Sequence, residues 1–156
     1  MRLSIIAIGK QKNDPTYKLT QTYFKRLPFA GEIIEIERSQ VASPKNALEE
    51  SNKIRNFLLL KAFKGHRLIT LDKSGTDTSS KQLAELISKW RDDGVPSCYF
   101  AIGGADGHNQ ALLNSANLCI RFGSATWPHL LFRAMLAEQL YRAEMILKNH
   151  PYHSGH

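Results

Sequence analysis

Three short stretches between Gly103 and His153 hold residue types that can do chemistry. The first is Gly103-Gly104-Ala105-Asp106-Gly107, directly after the apolar run that ends at Ile102. Glycines here let backbone approach a ligand closely and permit positive φ. The spacing is not G-x-G-x-x-G and the loop follows the fourth strand-like run, so a dinucleotide fingerprint is excluded. Taken alone, a plain turn accounts for it equally well. The second stretch is Phe122-Gly123-Ser124-Ala125-Thr126-Trp127, leading into Pro128-His129. Its small residues and hydroxyls can present backbone N–H and C=O groups to a planar heterocycle, with Phe122 and Trp127 as apolar walls. The competing interpretation is a helix entry with a hydroxyl cap. Leu71-Asp72, closing another apolar run, can supply a third side, so the loops together suggest one pocket.

The third stretch is the tail, in which His150, His153 and His156 recur every three residues. Pro151 stops a helix from carrying them on one face, and no Cys or paired carboxylate is near, so a metal site is not expected. A solvated tail would be disordered. A Pro-Tyr pair after an apolar helix suggests instead that the tail folds back and packs.

These residues need a scaffold, and the apolar pattern describes one. Leu3–Ile8 is apolar on both faces apart from Ser4, as in a strand covered on both sides. Asp14-Pro15 opens a helix with Leu19, Tyr23 and Leu27 on one side, and Glu32–Ile36 alternates like a strand nearer an edge. A helix runs from Ser43-Pro44 to about Phe63, then Arg67–Leu71 reads as a strand. Ser79 with Gln82 makes a capping box ahead of Leu83, Leu86, Ile87 and Trp90, and Gly94 closes that helix. Ser97–Ile102, a short helix near Asn109–Ser115, and a strand at Leu118–Phe122 follow. Pro128 begins a last helix to about Lys148. Strands alternating with helices predict one α/β domain over 1–156, a mostly parallel sheet with helices on both faces.

The last helix is apolar nearly all round (Leu130, Leu131, Phe132, Met135, Leu136, Leu140, Tyr141, Met145, Ile146, Leu147). A surface helix shows a single apolar stripe. This one has to be buried twice, which predicts a two-fold homodimer with one face on the sheet and another on a second copy.

The chain has 156 residues, 42% of them hydrophobic and 22% charged, as in ordinary globular domains. No run approaches the roughly 20 apolar residues of a membrane span, and Leu3–Ile8 is too short for a signal peptide, so a cytoplasmic location is expected. Cys98 and Cys119 each lie in an apolar run and read as buried reduced thiols. The net charge of +7 favours a polyanionic partner, nucleic acid first. The cations are scattered, so folding or dimerisation must gather them.

The order of glycine loop, small-residue loop ending Pro-His, Tyr141-Arg142-Ala143 and the near-terminal Asn149-His150-Pro151-Tyr152-His153 resembles the large-subunit ribosomal RNA methyltransferases of the SPOUT superfamily, over essentially the whole chain. That resemblance implies a homodimer with a C-terminal trefoil knot, holding S-adenosylmethionine and methylating N3 of a pseudouridine in large-subunit (23S) rRNA. It implies cofactor contacts at Leu71, Gly103, Phe122, Gly123, Ser124, Ala125, Thr126 and Trp127, the loops chosen above on physical grounds. The family's glycine loop usually reads Gly-Gly-Pro-Glu-Gly, whereas Ala105-Asp106 stand here. Trp127 replaces a smaller aliphatic residue, and Ser154 replaces a basic one.

Methylation of an imide nitrogen requires loss of the N3 proton, leaving negative charge shared with the flanking carbonyls. Arg142 is the candidate to stabilise that charge, because its fork donates and stays protonated. A salt bridge to Glu138, one turn away, is the alternative role. His153 is the candidate general base and Tyr152 a packing group on cofactor or base. Arg133 and the other cations would bind phosphates without sequence preference. A single small domain suggests that the ribosome, rather than free RNA, is the substrate, and DNA is not expected. The alternatives are a non-catalytic RNA-binding or ribosome-assembly factor, and a nucleotide-dependent oxidoreductase. The latter needs a fingerprint after the first strand, where only Gly9 is present.

Overall fold

A computed structural model describes residues 1–153. Its centre is a five-stranded sheet in the order β2-β1-β4-β3-β5, with every pairing parallel. The strands are β1 (Arg2–Ile8), β2 (Ala30–Ile36), β3 (Arg67–Asp77), β4 (Ser97–Ile102) and β5 (Leu118–Arg121). The helices are α1 (Thr16–Lys25), α2 (Lys45–Lys61), α3 (Ser80–Asp92), α4 (Gln110–Ser115) and α5 (His129–Leu147), followed by a single 3-10 turn at Pro151–His153. The continuous apolar runs of β1 and β4 occupy the middle, and β2, with its alternating pattern, is an edge.

Two apolar clusters cover the two faces. One joins Leu3, Ile5, Ile69 and Phe100 to Leu83 and Ile87 of α3 and to Leu136 and Leu140 of α5. The other joins Ile6, Ile8 and Tyr99 to Ile54 and Leu58 of α2 and Leu112 of α4. The capping box of α3 forms as the spacing predicts: the Ser79 hydroxyl accepts from Gln82 N at 3.2 Å, and Ser79 N donates to Gln82 Oε1 at 2.8 Å.

Two elements differ from the pattern in the sequence. β3 does not stop at Leu71. Residues 72–75 leave the ladder, and Thr76 and Asp77 rejoin β5 opposite Ile120 and Arg121. Gly75 makes this possible, since a Cβ there would lie 2.5 Å from the Ile120 carbonyl carbon. In α1 the buried side is Thr20 and Phe24, with Leu27 just beyond, whereas Leu19 is exposed. Leu19 faces a cleft between α1 and α5 instead of the core, and Tyr23 lines the same cleft while packing against the edge of the core.

Candidate functional site

The 72–75 excursion of β3 and the loops after β4 and β5 lie on three adjacent strands at the carboxyl edge, where open parallel sheets receive ligands. Between them lies a cleft of about 850 Å³. It is lined by all eight residues named above for the cofactor: Leu71, Gly103, Phe122, Gly123, Ser124, Ala125, Thr126 and Trp127. Its inner wall is apolar, with Ile102, Leu113 and the Phe122 ring, whose centroid is 5.5 Å from that of Phe132 in α5. Its rim carries Asp72, Lys73, Ser74 and Arg121.

The glycine loop has this shape because side chains are excluded from it. A Cβ at Gly103 would lie 2.8 Å from the Gly107 carbonyl carbon. Gly104 and Gly107 pair as a tight bridge, Gly107 N donating to Gly104 O at 3.1 Å, with Gly107 at φ +71°. Asp106 braces the loop from outside: its two oxygens accept from Ser43 Oγ at 3.0 Å and Asn46 Nδ2 at 2.6 Å. Arg121 fastens β5 to the end of β3, its Nε and Nη2 each 2.9 Å from an Asp77 oxygen. That guanidinium holds the Asp77 carboxyl below the ordinary range.

A second cluster occupies the far half of α5. Arg142 donates from Nε at 2.9 Å and Nη2 at 2.7 Å to Glu138 Oε1, so the expected one-turn salt bridge is present. The Tyr152 hydroxyl donates to the same oxygen at 3.0 Å, and Gln139 Nε2 donates to Glu138 Oε2 at 2.7 Å. Arg142 also stacks on the Tyr152 ring at 4.9 Å, and Tyr152 meets Tyr141 edge-on at 4.9 Å. The tail therefore folds back onto α5. Burial, with hydrogen bonding to Tyr23 and Glu138, pushes the Tyr152 phenol above its ordinary range, which keeps it a donor. His153 stands beside this cluster, its Nδ1 at 3.3 Å from the His150 carbonyl oxygen. A carbonyl only accepts, so the tautomer that satisfies this contact carries its hydrogen on Nδ1 and presents Nε2 as an acceptor.

The structure thus gathers the eight cleft residues in one place and Arg142 with Tyr152 in another. Phe132 lines the cleft, and Arg142 lies ten residues further along α5 (132 to 142), about 15 Å at 1.5 Å per residue. The α1–α5 cleft joins the two regions. It measures about 590 Å³, is lined by Leu19, Tyr23, Leu131, Met135 and Glu138, and shares Phe122 and Gly123 with the first cleft.

Arg133 is not a phosphate contact. It is wholly buried, its Nη1 donating to Glu35 Oε1 at 2.8 Å and its Nη2 to the carbonyls of Ile8 at 3.2 Å and Gly9 at 3.1 Å. Glu144, also on α5, is buried against Arg91 of α3. Two polar residues of the nearly all-apolar helix are therefore consumed inside the chain. Cys98 is buried and burial pushes its thiol up to about 12, while Cys119 is only partly covered. Trp127 is exposed at the cleft mouth. Ser154 and the third histidine, His156, lie outside the described residues.

Glu138, the acceptor shared by Arg142 and Tyr152, appeared in the sequence only as an ion-pair partner. His108, buried at the cleft wall, gave no periodic or motif signal.

Known proteins similar to this chain identify its family. The family model described as "Predicted SPOUT methyltransferase" matches residues 1–153. A ribosomal RNA large subunit methyltransferase H from Paramagnetospirillum magneticum is 42% identical over 154 residues, covering 98% of this chain and 99% of that protein. The protein of the same name from Rhodopseudomonas palustris (strain BisB5) is 41% identical over 161 residues, again covering 98% and 99%. Among solved structures, a probable methyltransferase from Bordetella pertussis Tohama I superposes with a TM-score of 0.57 at 14% identity, covering 91% of this chain and 95% of that one, which speaks for the fold alone. The parallel sheet, the loops at its carboxyl edge and the full-length match lead to one conclusion: the chain belongs to the SPOUT methyltransferases.

Proposed function

We propose that the protein methylates N3 of a pseudouridine in large-subunit (23S) rRNA, using S-adenosylmethionine, on the assembled ribosome and as a cytoplasmic homodimer. The observation that supports it most is the single cleft at the carboxyl edge that collects Leu71, Gly103 and the 122–127 loop. The cleft suits the cofactor. Its apolar inner wall and the paired rings of Phe122 and Phe132 match a flat purine, and Gly103 and Gly123 let backbone approach it closely. The rim of Asp72, Lys73, Ser74 and Thr126 suits hydroxyl, ammonium and carboxylate groups.

When bound, the cofactor supplies a methyl group activated on a sulfonium. The chain supplies position and charge. Held in line, reactants gain up to about 7–11 kcal/mol from orientation in favourable cases. Arg142, fixed by Glu138 and stacked on Tyr152, offers its remaining N–H groups to a carbonyl flanking the reacting nitrogen as negative charge develops there. His153 takes the N3 proton at Nε2. Tyr152 stays protonated and orients Arg142 through their shared carboxylate.

A homodimer is supported by the same geometry. The cleft and Arg142 lie about 15 Å apart along α5 of one chain, so a second copy seated along the Leu19–Tyr23–Leu131–Met135 cleft can bring its own Arg142 end to the first copy's pocket. Relatives named as large-subunit rRNA methyltransferases support the substrate class, and the +7 charge suits a polyanion.

The test pairs binding with turnover. Arg142→Ala is expected to bind S-adenosylhomocysteine normally by calorimetry and to lose methylation of ribosomes isolated from cells lacking the protein, read by mass spectrometry of the rRNA. Normal turnover by this variant removes Arg142 from the chemistry. A wild-type protein that binds RNA but not the cofactor is a binding factor instead, and a stable monomer at micromolar concentration by light scattering ends the dimer.

A further inference from the structure

The far end of α1 brings a second arginine to the Arg142 cluster. Tyr23 and Arg26 stand three residues apart, on one side of the last helical turn, where Arg26 N donates to the Tyr23 carbonyl at 3.1 Å. The Arg26 guanidinium lies over the Tyr23 ring at 5.7 Å and over the Tyr141 ring at 5.9 Å. Tyr141 meets Tyr152 at 4.9 Å, and Tyr152 carries Arg142 at 4.9 Å. The two guanidinium groups are therefore the ends of one row, joined through the rings of Tyr141 and Tyr152.

The charges along this row do not balance. Glu138 is its carboxylate, and both oxygens are taken: Oε1 by Arg142 and the Tyr152 hydroxyl, Oε2 by Gln139. Glu144, the next acid on α5, is buried against Arg91. Arg26 is exposed and, among the described residues, its side chain makes neither an ion pair nor a hydrogen bond. A guanidinium stacked on rings gives them its face and keeps its N–H edge for an acceptor outside. These rings lie close to the limit of about 6 Å for a cation over an aromatic face, so they guide the side chain without consuming it. A cation at the end of α1 also offsets the helix dipole. Lys25 already stands in that last turn, and the dipole does not explain a side chain laid towards α5.

We propose that Arg26 binds a backbone phosphate of the substrate RNA close to the base that Arg142 serves. This rests on the RNA-methylation reading above. The planar fork of arginine matches two phosphate oxygens at once, and an exposed, unspent fork is free to meet them. It fills the role that the buried Arg133 cannot. A phosphate contact carries no sequence information, but it fixes the register of the strand on the protein. Because Arg26 and Arg142 share one row, the contact sets which nucleotide comes to rest at Arg142. In the homodimer proposed above, Arg26 travels with Arg142 to whichever pocket that end of the chain serves. It is a positioning residue, acting on substrate binding and not on the methyl transfer.

The test uses ribosomes from cells lacking the protein, with binding followed by sedimentation over a range of salt concentrations and methylation kinetics on the same ribosomes. Arg26→Gln is expected to raise Kd and KM about tenfold, with kcat and S-adenosylhomocysteine affinity unchanged. The slope of log affinity against log salt is expected to become shallower by about 0.7–0.9, the loss of one phosphate contact. Arg26→Lys, which keeps the charge and loses the fork, is expected to keep the wild-type slope and part of the affinity. A merely structural arginine would lower Tm in both variants and leave the salt slope alone. The unmodified protein gives a readout that needs no variant: phenylglyoxal, located by mass spectrometry, is expected to modify Arg26 in the free protein and to spare it on the ribosome. An Arg26→Gln protein with wild-type KM and salt slope, a loss confined to kcat, or an Arg26 that stays reactive in the complex overturns the proposal. Any of these beside normal wild-type methylation removes this contact alone. A wild-type protein that neither binds nor methylates ribosomes overturns the proposed function as well.

Discussion

Replacing Arg133 by methionine tests how the two ends of the fold are joined. The guanidinium sits on the carboxyl ends of β1 and β2 from within the first turns of α5, 125 residues away from Ile8 in sequence. Methionine keeps much of the apolar volume and removes the donors. The pair with Glu35 is a charge-assisted bond worth about 1.5–3 kcal/mol, and each carbonyl loses a bond worth about 1 kcal/mol. Glu35 is 30% exposed and partly rehydrates, so the net cost falls near the low end of the range for breaking a buried pair, about 3 kcal/mol. For a domain of this size that lowers Tm by about 6–12 °C. Urea unfolding followed by the fluorescence of buried Trp90, at one fixed protein concentration, reads it as a shifted midpoint with an unchanged slope. Arg133→Met combined with Glu35→Met is expected to lose less than the sum of the single variants, because no charge is then stranded. A loss under about 1 kcal/mol, or strict additivity, would refute the role given to this ion pair.

Gly103→Ala places a Cβ 2.8 Å from Gly107 backbone, which cannot yield as a side-chain tip would, so cofactor affinity should fall about tenfold or more and Tm should fall with it; calorimetry and a melting curve decide it. Stability should also fall as pH drops below about 6.5. Burial depresses the proton affinity of His108, and burial with Arg38 does the same for His129, so the unfolded chain binds more protons there and ΔG of unfolding rises with pH until the unfolded histidines have titrated. His108→Asn should flatten that slope in denaturation curves between pH 5 and 7, and an unchanged slope would show that His108 is not the group responsible.

The elements that the sequence announced were those specified locally. Leu3–Ile8 and Ser97–Ile102 are apolar throughout because strands in the middle of a parallel sheet are covered on both faces. Ser79 with Gln82, and Pro128 before α5, mark helix starts through bonds or dihedrals that span only a few residues. The cleft loops drew notice as small residues at strand ends, a pattern that a plain turn or a helix entry shares, and their meeting at one edge of the sheet becomes visible only in the fold. What escaped depended on distant partners. Arg133 resembles any surface cation until Glu35, 98 residues away, comes to meet it. β3 continues past a loop-like Asp72-Lys73-Ser74-Gly75 because β5 offers Ile120 and Arg121 as partners. His108 follows a glycine and belongs to no pattern, so only burial and a missing hydrogen bond single it out.

The cleft draws its walls from residues 71–74, 102–108, 113, 121–129 and 132, which belong to β3, the end of β4 and the loop after it, α4, the end of β5 with the loop after it, and α5. No shorter stretch of the chain contains it. Such non-local contacts form slowly, because loop closure must precede them, and here the closing piece is α5, last but for the tail. A ligand in the cleft therefore recognises only finished molecules. It draws the equilibrium towards them by RT ln(1 + [L]/Kd), about 2.7 kcal/mol at a hundredfold excess over Kd. Because its contacts span the β3, β4 and β5 loops and α5, that stabilisation suppresses opening of all of them together, and slowed hydrogen exchange across these elements would report completed folding as directly as it reports binding.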